Sequence, residues 1–254
     1  MTFSVVIPAY NEAATLRGVA LAALEHARSV IVVDDGSTDG TAAAIADLPV
    51  SVLRNDCNLG KAASLRRGLA QAVRDGASAV ITLDADGQHD PRDIPRLIAL
   101  HLQHPARIVV GARLHDKHKI PRARYLANRL ANLAVGWAAG YSCPDTQSGF
   151  RLYPAAVLRS IDLERNESRR FVFDSEVLID AARMGITTVE VPIAAIYKSD
   201  ARPSHFRPVR DVVLITLMLA HKIFARAVLS RKGGHGGKPW FPSVSLTARK
   251  RSAR

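Results

Sequence analysis

Five short apolar runs constrain most tightly what this 254-residue chain can fold into: Phe3–Ile7, Val30–Val33, Val50–Leu53, Ala79–Leu83 and Ile108–Val110. None keeps the strict polar–apolar alternation of a strand with one wet face, and strands covered on both faces read this way. The Ala- and Leu-rich stretches between and after them, 13–27, 38–47, 60–75 and 93–104, suit helices. The pattern predicts an α/β fold with a mainly parallel, doubly wound sheet and helices on both faces. Farther on, 122–139 and 174–184 read as helices, 147–153 as an extended segment and Thr187–Val191 as a last strand. Ligands bind such sheets beyond the carboxyl ends of the strands, so chemistry is expected at the strand exits.

The strongest signal is at the fourth exit, Asp84-Ala85-Asp86-Gly87-Gln88-His89-Asp90-Pro91. Two acids spaced by one residue at the end of a buried strand aim oxygens at one point, and Gln88 can add another. A hard divalent ion, Mg²⁺ or Mn²⁺, prefers such donors and completes its shell with phosphate and water. A calcium loop would need more acids at regular spacing, and zinc would need more than one His. At the second exit, Asp34-Asp35-Gly36-Ser37-Thr38-Asp39, two readings stand together: a polar pocket whose carboxylates accept from a base N–H or a ribose hydroxyl, and a helix cap. At the first exit Pro8 is expected to end pairing, with Asn11 and Glu12 starting a helix. Asn58-Leu59-Gly60-Lys61 is not a phosphate loop, because the upstream Gly and the hydroxyl residue after the Lys are missing. Lys61 and Arg66 can still neutralise a diphosphate. Arg113, after the fifth run, suits bidentate phosphate binding. For Asp174 and Glu176, in the first turn of a helix, dipole complementarity and a site role both stand.

Charge divides the chain. From Arg202 onward there are twelve Lys and Arg against Asp211 alone, which accounts for +11 of the net +12 and leaves +1 for residues 1–201. A neutral core with a cationic appendage points to an anionic membrane or a flexible tail. The appendage lacks the alternating basic and aromatic pattern of a specific nucleic-acid site. The apolar part of 206–229, Val212–Ala220, is only nine residues, too short to span, so an interfacial amphipathic helix is expected there and a disordered tail over 230–254. No cleaved leader is expected before Phe3. Cys57 and Cys143 have no metal-ligand spacing and are expected to be reduced.

Taken together, Pro8-Ala9-Tyr10-Asn11-Glu12, Asp34 to Thr41, Asn58 to Lys61, Asp84 to Pro91, Gly111-Ala112-Arg113 and Asp145 to Arg151 resemble the family 2 glycosyltransferases of the GT-A type. The nearest likeness is the dolichyl- or polyprenyl-phosphate mannose or glucose synthase branch. The resemblance spans roughly residues 3–206 and implies a Rossmann-like catalytic domain over 1–205. It implies that Pro8, Ala9, Tyr10, Glu12 and Asp35, with Lys61 and Asp84, bind a nucleotide-sugar donor. Asp84, Asp86 and Gln88 would hold Mg²⁺ or Mn²⁺, Asp86 and Arg113 would act at the pyrophosphate, and Arg124, Asn128, Arg202 and Ser204 would hold the acceptor. Asn128 and His205 stand where the branch commonly has Ser and Lys.

The reaction so implied is an in-line displacement at the anomeric carbon with inversion. A lipid-linked phosphate acceptor is already an anion and needs no base. A hydroxyl acceptor needs one, with Asp145, Asp174 and Glu176 as candidates. The alternatives are a hydroxyl acceptor on a glycan or glycolipid, and a non-catalytic nucleotide-sugar-binding module. The expected location is cytoplasmic, peripheral to the inner face of a membrane.

Overall fold

The computed structural model of the chain describes residues 1–113, 122–143, 145–161, 173–194 and 196. Strands β1 (Phe3–Ala9), β2 (Ser29–Asp34), β3 (Ser51–Arg54), β4 (Ala79–Thr82), β5 (Ile108–Ala112), β6 (Arg151–Pro154) and β7 (Thr188–Pro192) form one sheet. Helices α1 (Leu16–Leu24), α2 (Lys61–Arg74), α3 (Ile94–Gln103), α4 (Arg122–Ala139), α5 (Ala155–Ser160) and α6 (Phe173–Arg183) cover it. The strand order is β3-β2-β1-β4-β6-β5-β7, and all pairs are parallel except those made by β6.

Alternate residues of each central strand enter opposite cores, as the two-residue strand period requires. Val5, Ile7, Val30, Val32 and Ile81 pack with Leu16 and Val19 of α1 and Leu97 of α3. Val6, Ile31, Val33 and Val80 pack on the other face with Leu65 and Leu69 of α2, Val135 of α4 and Val177 and Leu178 of α6. With both faces dry, the strands have no polar alternation to show, which is why they read as continuous apolar runs.

Three expectations change. The stretch 38–47 is not an α-helix but a loop with one 3₁₀ turn at Ala43–Ile45, because the residues flanking Gly40 bond to a neighbouring loop instead. The extended segment 147–153 narrows to β6, which enters from the far side between β4 and β5 and pairs antiparallel with both. A short helix, α5, follows directly; its six residues are too few to show a helical period. The proposed helix 206–229, the tail 230–254, Arg202, Ser204 and His205 lie outside the described residues. Among the described residues no helix is long and apolar enough to cross a membrane. Cys57 is exposed, Cys143 is buried and both are free.

Candidate active site

The first and second strand exits brace one another. Pro8 does not end pairing with β2, which continues through Ala9 opposite Asp34. It stands on the β4 side, where the last bond is Leu83 N–H to the Val6 carbonyl, so β1 and β4 separate there at no cost in hydrogen bonds. Asn11 then turns with φ +56, a conformation Asn tolerates better than most residues. Its N–H donates to Ser37 Oγ and its Oδ1 accepts from Thr38 N–H, both at 2.9 Å. The Glu12 N–H donates to Thr41 Oγ1 at 2.8 Å. Ser37, Thr38 and Thr41 therefore tie two loops together rather than capping a helix, and α1 begins only at Leu16, past the expected Asn11-Glu12 start.

Asp35 is turned into the wall of the cleft. Its carboxylate accepts from Asn55 Nδ2 at 2.7 Å and from the N–H groups of Leu59 at 3.0 Å and Gly60 at 2.8 Å. It is only 3% exposed and holds the 55–60 loop in place through these bonds. Gly36 beside it has φ +70, and a Cβ there would fall 2.6 Å from the Cys57 carbonyl carbon. That close approach brings the 55–60 loop and its Lys61 to the fourth strand exit.

At that exit Lys61 Nζ lies 2.5 Å from Asp84 Oδ1. Burial alone would lower the Lys61 pKa, but the carboxylates of Asp84, Asp174 and Asp86 hold it above the ordinary lysine value. Burial would raise Asp84, yet Lys61, with His89 and Arg113, brings its carboxyl down to about 2. Asp86 goes the other way: burial and the charge of Asp84 raise it, against the Gln88 N–H that donates to its Oδ1 at 2.9 Å. One turn of chain thus holds a carboxylate already matched to a cation and a second that lacks one. His89 is buried against Phe150, with Nδ1 3.9 Å from Asp84 Oδ2, and desolvation lowers it to about 4, so it is neutral at physiological pH.

Among the described residues no three carboxylate, histidine or cysteine groups gather to hold a metal alone. The two adjacent acids are nevertheless the right donors for a hard divalent cation that takes its remaining oxygens from water and substrate phosphates. Such a cation would also relieve the repulsion that raises Asp86. The donor set fits that group and does not fit zinc.

Gly149 closes this exit from above. A Cβ there would stand 2.6 Å from Asp84 Oδ2 and 2.8 Å from Oδ1. Thr82 Oγ1 donates to the Gly149 carbonyl at 2.7 Å, so the loop cannot easily retreat. Replacing Gly149 by Ala should therefore displace the Asp84 carboxylate and weaken divalent-ion affinity by about 10- to 100-fold, the usual effect of disturbing a ligand's support. Titration calorimetry with Mn²⁺ checks this; unchanged affinity in a folded variant would refute the packing argument.

The loop that contains Gly149 also fixes Arg113. Arg113 Nε and N–H both donate to Asp145 Oδ2 at 3.0 Å, and Nη2 donates to Oδ1 at 3.3 Å. Asp145 is fully buried; burial would raise its pKa, but the Arg113 charge and hydrogen bonds keep it below the ordinary carboxylate value. Its carboxylate is held as an anion that orients the Arg113 side chain. Asn132 of α4 holds the next residue, its Oδ1 accepting from Thr146 N–H at 2.9 Å and Oγ1 at 2.7 Å. Arg151, also fully buried, donates to the carbonyls of Ser148 (2.8 Å), Thr146 (2.8 Å) and Asp174 (2.5 Å) and to the Tyr153 hydroxyl (3.2 Å). It clamps the loop to the start of α6, where Asp174 and the buried Glu176 stand.

The fold thus gathers Asp84, Asp86, Gln88, Lys61, Arg113 and Asp174 at one end of the sheet. Pro8, Ala9, Tyr10, Glu12 and Asp35 stand at or just past the neighbouring ends of β1 and β2, and the Glu12 carboxylate adds to the field that raises Asp86. Asn128 lies buried on α4, and Arg124 stands in that helix's first turn with its side chain outside the described part. Gly149, Asn132 and Arg151 act by packing and positioning, and in the sequence only the Asp145 to Arg151 stretch drew in two of them.

A family model described as Glycosyl transferase family 2 matches residues 4–162. The chain is 33% identical over 199 residues to the undecaprenyl-phosphate mannosyltransferase of Micrococcus luteus, across 74% of this chain and 81% of that one. It is 29% identical over 252 residues to the UDP-N-acetylglucosamine–dolichyl-phosphate N-acetylglucosaminyltransferase of Methanococcus voltae, across 90% and 95%. Among solved structures it is similar to glucosyl-3-phosphoglycerate synthase from Mycobacterium tuberculosis in complex with Mn²⁺, uridine-diphosphate and glucosyl-3-phosphoglycerate. That likeness has a TM-score of 0.61 at 22% identity, covering 89% of this chain and 79% of that one, and it concerns the fold.

Proposed function

The chain belongs to glycosyl transferase family 2, and on that premise we propose that it moves a hexose from a UDP- or GDP-linked donor to a polyprenyl phosphate, with inversion at the anomeric carbon. The observation that carries the reading is the fourth strand exit, where Asp84 and Asp86 share one turn, with Lys61 against Asp84 and the Arg113 charge acting on it. The relatives named for undecaprenyl- and dolichyl-phosphate support the acceptor class.

In this reading Asp84, Asp86 and Gln88 hold Mg²⁺ or Mn²⁺. When bound, such an ion supplies charge neutralisation at the donor's pyrophosphate. Lys61 and Arg113 add fixed positive charge where the leaving nucleoside diphosphate becomes more negative. Asp145 keeps the Arg113 fork aimed, so little reorganisation accompanies the reaction. Pro8, Ala9, Tyr10 and Glu12, with the loop that Asp35 holds, line the nucleoside side. Arg124 and Asn128, with Arg202 and Ser204, serve the acceptor phosphate. That phosphate oxygen attacks as an anion, so positioning and neutralisation suffice and no side chain has to take a proton. The basic segment from 206 onward holds the chain at the inner, cytoplasmic face of the membrane through anionic lipid.

The test is a screen of UDP- and GDP-sugars with Mg²⁺ or Mn²⁺, with and without polyprenyl phosphate in detergent. Turnover should require both the ion and the lipid phosphate and vanish with EDTA. Asp174→Ala and Glu176→Ala should each keep activity within about tenfold, because loss of a true general base costs about 10²–10⁴. A 10²-fold or larger loss with donor affinity intact would transfer the reading to a hydroxyl acceptor.

A further inference from the structure

Lys61 is the first residue of α2, and the turn before it is fixed. The Leu59 and Gly60 N–H groups both donate to the Asp35 carboxylate, so the Lys61 backbone has little freedom. Its side chain has more: a flexible four-carbon stem with a compact ammonium, 38% exposed, that reaches Asp84 Oδ1 at 2.5 Å. Asp84 has no room to turn away. A Cβ on Gly149 would stand 2.6 Å from its Oδ2, and the buried His89 ring comes within 3.9 Å of the same oxygen. That leaves Oδ1, the oxygen Lys61 holds, as the approach to this acid. The other cation of the site, Arg113, is committed to Asp145 through Nε, Nη2 and its backbone N–H. Lys61 is thus the cation placed to exchange.

We infer that Lys61 is an exchangeable counter-cation of Asp84, which competes with the divalent ion for this acid and, once displaced, serves the donor's pyrophosphate. The inference deepens the proposed function and rests on its metal and donor sites. Two cations on one carboxylate repel each other at contact range, strongly so in a part-buried site where water screens poorly. Lys61 therefore leaves Asp84 when a divalent ion is held there. Its backbone stays pinned by Asp35, so only the stem swings. Two anions can receive the ammonium. One is Asp174, whose charge already acts on Lys61 but which also faces Arg151, with Nη1 3.9 Å from Oδ1. The other is the pyrophosphate, which offers more charge and more acceptor oxygens than a single carboxylate. Ion and donor are then coupled beyond their direct contact. The ion frees the lysine that the donor uses, so each raises the other's affinity, and by the same factor. The ion alone binds weakly, because the Lys61–Asp84 pair opposes it.

The test is Lys61→Met in the full chain, which keeps the stem and removes the charge. Circular dichroism should show it folded, and Lys61→Gln, with the same expected signs, stands in if it is not. Titration calorimetry with Mn²⁺ alone should show binding tighter than in the parental chain by at least about fivefold. Binding of UDP or GDP at saturating Mn²⁺ should weaken by about tenfold, through loss of one charge-assisted contact. The factor by which Mn²⁺ raises nucleotide affinity should shrink. Lys61→Arg keeps a cation at the acid and should leave Mn²⁺ affinity near the parental value. A merely structural ion pair predicts the opposite sign, because Asp84 without its support would bind Mn²⁺ more weakly. Unchanged or weaker Mn²⁺ binding in a folded Lys61→Met chain would therefore overturn the inference. So would a coupling factor equal to the parental one, which would mean that the displaced lysine goes to Asp174. A parental chain that binds neither Mn²⁺ nor nucleotide sinks the proposed function, and this inference with it, so the two failures are told apart.

Discussion

Asp86→Asn should lower kcat/KM by roughly 10³-fold, about 4 kcal/mol of transition-state stabilisation, while leaving the chain folded. The substitution keeps an oxygen for the Gln88 N–H, which now donates to Asp86 Oδ1, so the turn survives. It removes the one carboxylate at the exit that the surroundings disfavour, since burial and the Asp84 charge both raise its pKa. The sign on stability follows. A carboxylate whose folded pKa is raised costs stability at any pH above its unfolded value, so at neutral pH the variant without added metal should melt no lower than the parent. Divalent-ion affinity and ion-dependent binding of the nucleotide sugar should both be lost. Kinetics, calorimetry and thermal melts separate these outcomes. Metal-dependent turnover that persists near the parental rate in Asp86→Asn would remove the basis of the enzymatic reading.

The largest effect on stability should come from Arg151→Met. The new side chain is apolar and long enough to fill much of the space, but it offers no donors. The Thr146 and Ser148 carbonyls and the Tyr153 hydroxyl would lose their Arg151 donor, and the Asp174 carbonyl would keep only its place in the α6 ladder. Each buried polar group left unpaired costs about 1–3 kcal/mol, so a loss of about 4 kcal/mol or more is expected, against about 5–15 kcal/mol for a whole domain. Arg151→Lys keeps the charge but not the planar fork that reaches several carbonyls at once, and should fall between. Urea unfolding measures the difference. A midpoint unchanged in Arg151→Met would show that the loop and α6 hold without the clamp. Because that loop carries Asp145 and Gly149, a surviving fraction of folded variant should also bind the divalent ion weakly, which a purely local loss of stability would not explain.

How much of this was readable beforehand depends on the range of the interactions. The central strands were legible because burial on both faces writes itself into consecutive residues, and Asp84, Asp86 and Arg113 stood out because they follow directly on such strands. The loop 38–47 misled because Ala-rich composition suits a helix, whereas Asp39 and Thr41 bond to residues 26 and 29 positions earlier. Asp35 was singled out by residue type and by resemblance, but the bonds that hold its carboxylate, from Asn55, Leu59 and Gly60, come from 20 to 25 positions away and were not readable beforehand.

The amino-acid sequence on its own determined the α/β class and the strand exit at which the acids stand, because apolar periodicity and the one-residue spacing of Asp84 and Asp86 are local properties of the chain, and the resemblance of its combined motifs pointed to the family. Tertiary structure alone decided that β6 runs against its neighbours, that Asp145 serves Arg113, that Gly149 presses on Asp84 and that Lys61 pairs with the same acid. Each of these depends on which distant residue arrives at a given point in space, and side-chain packing, hydrogen-bond direction and exposure take their values only once the layers have closed.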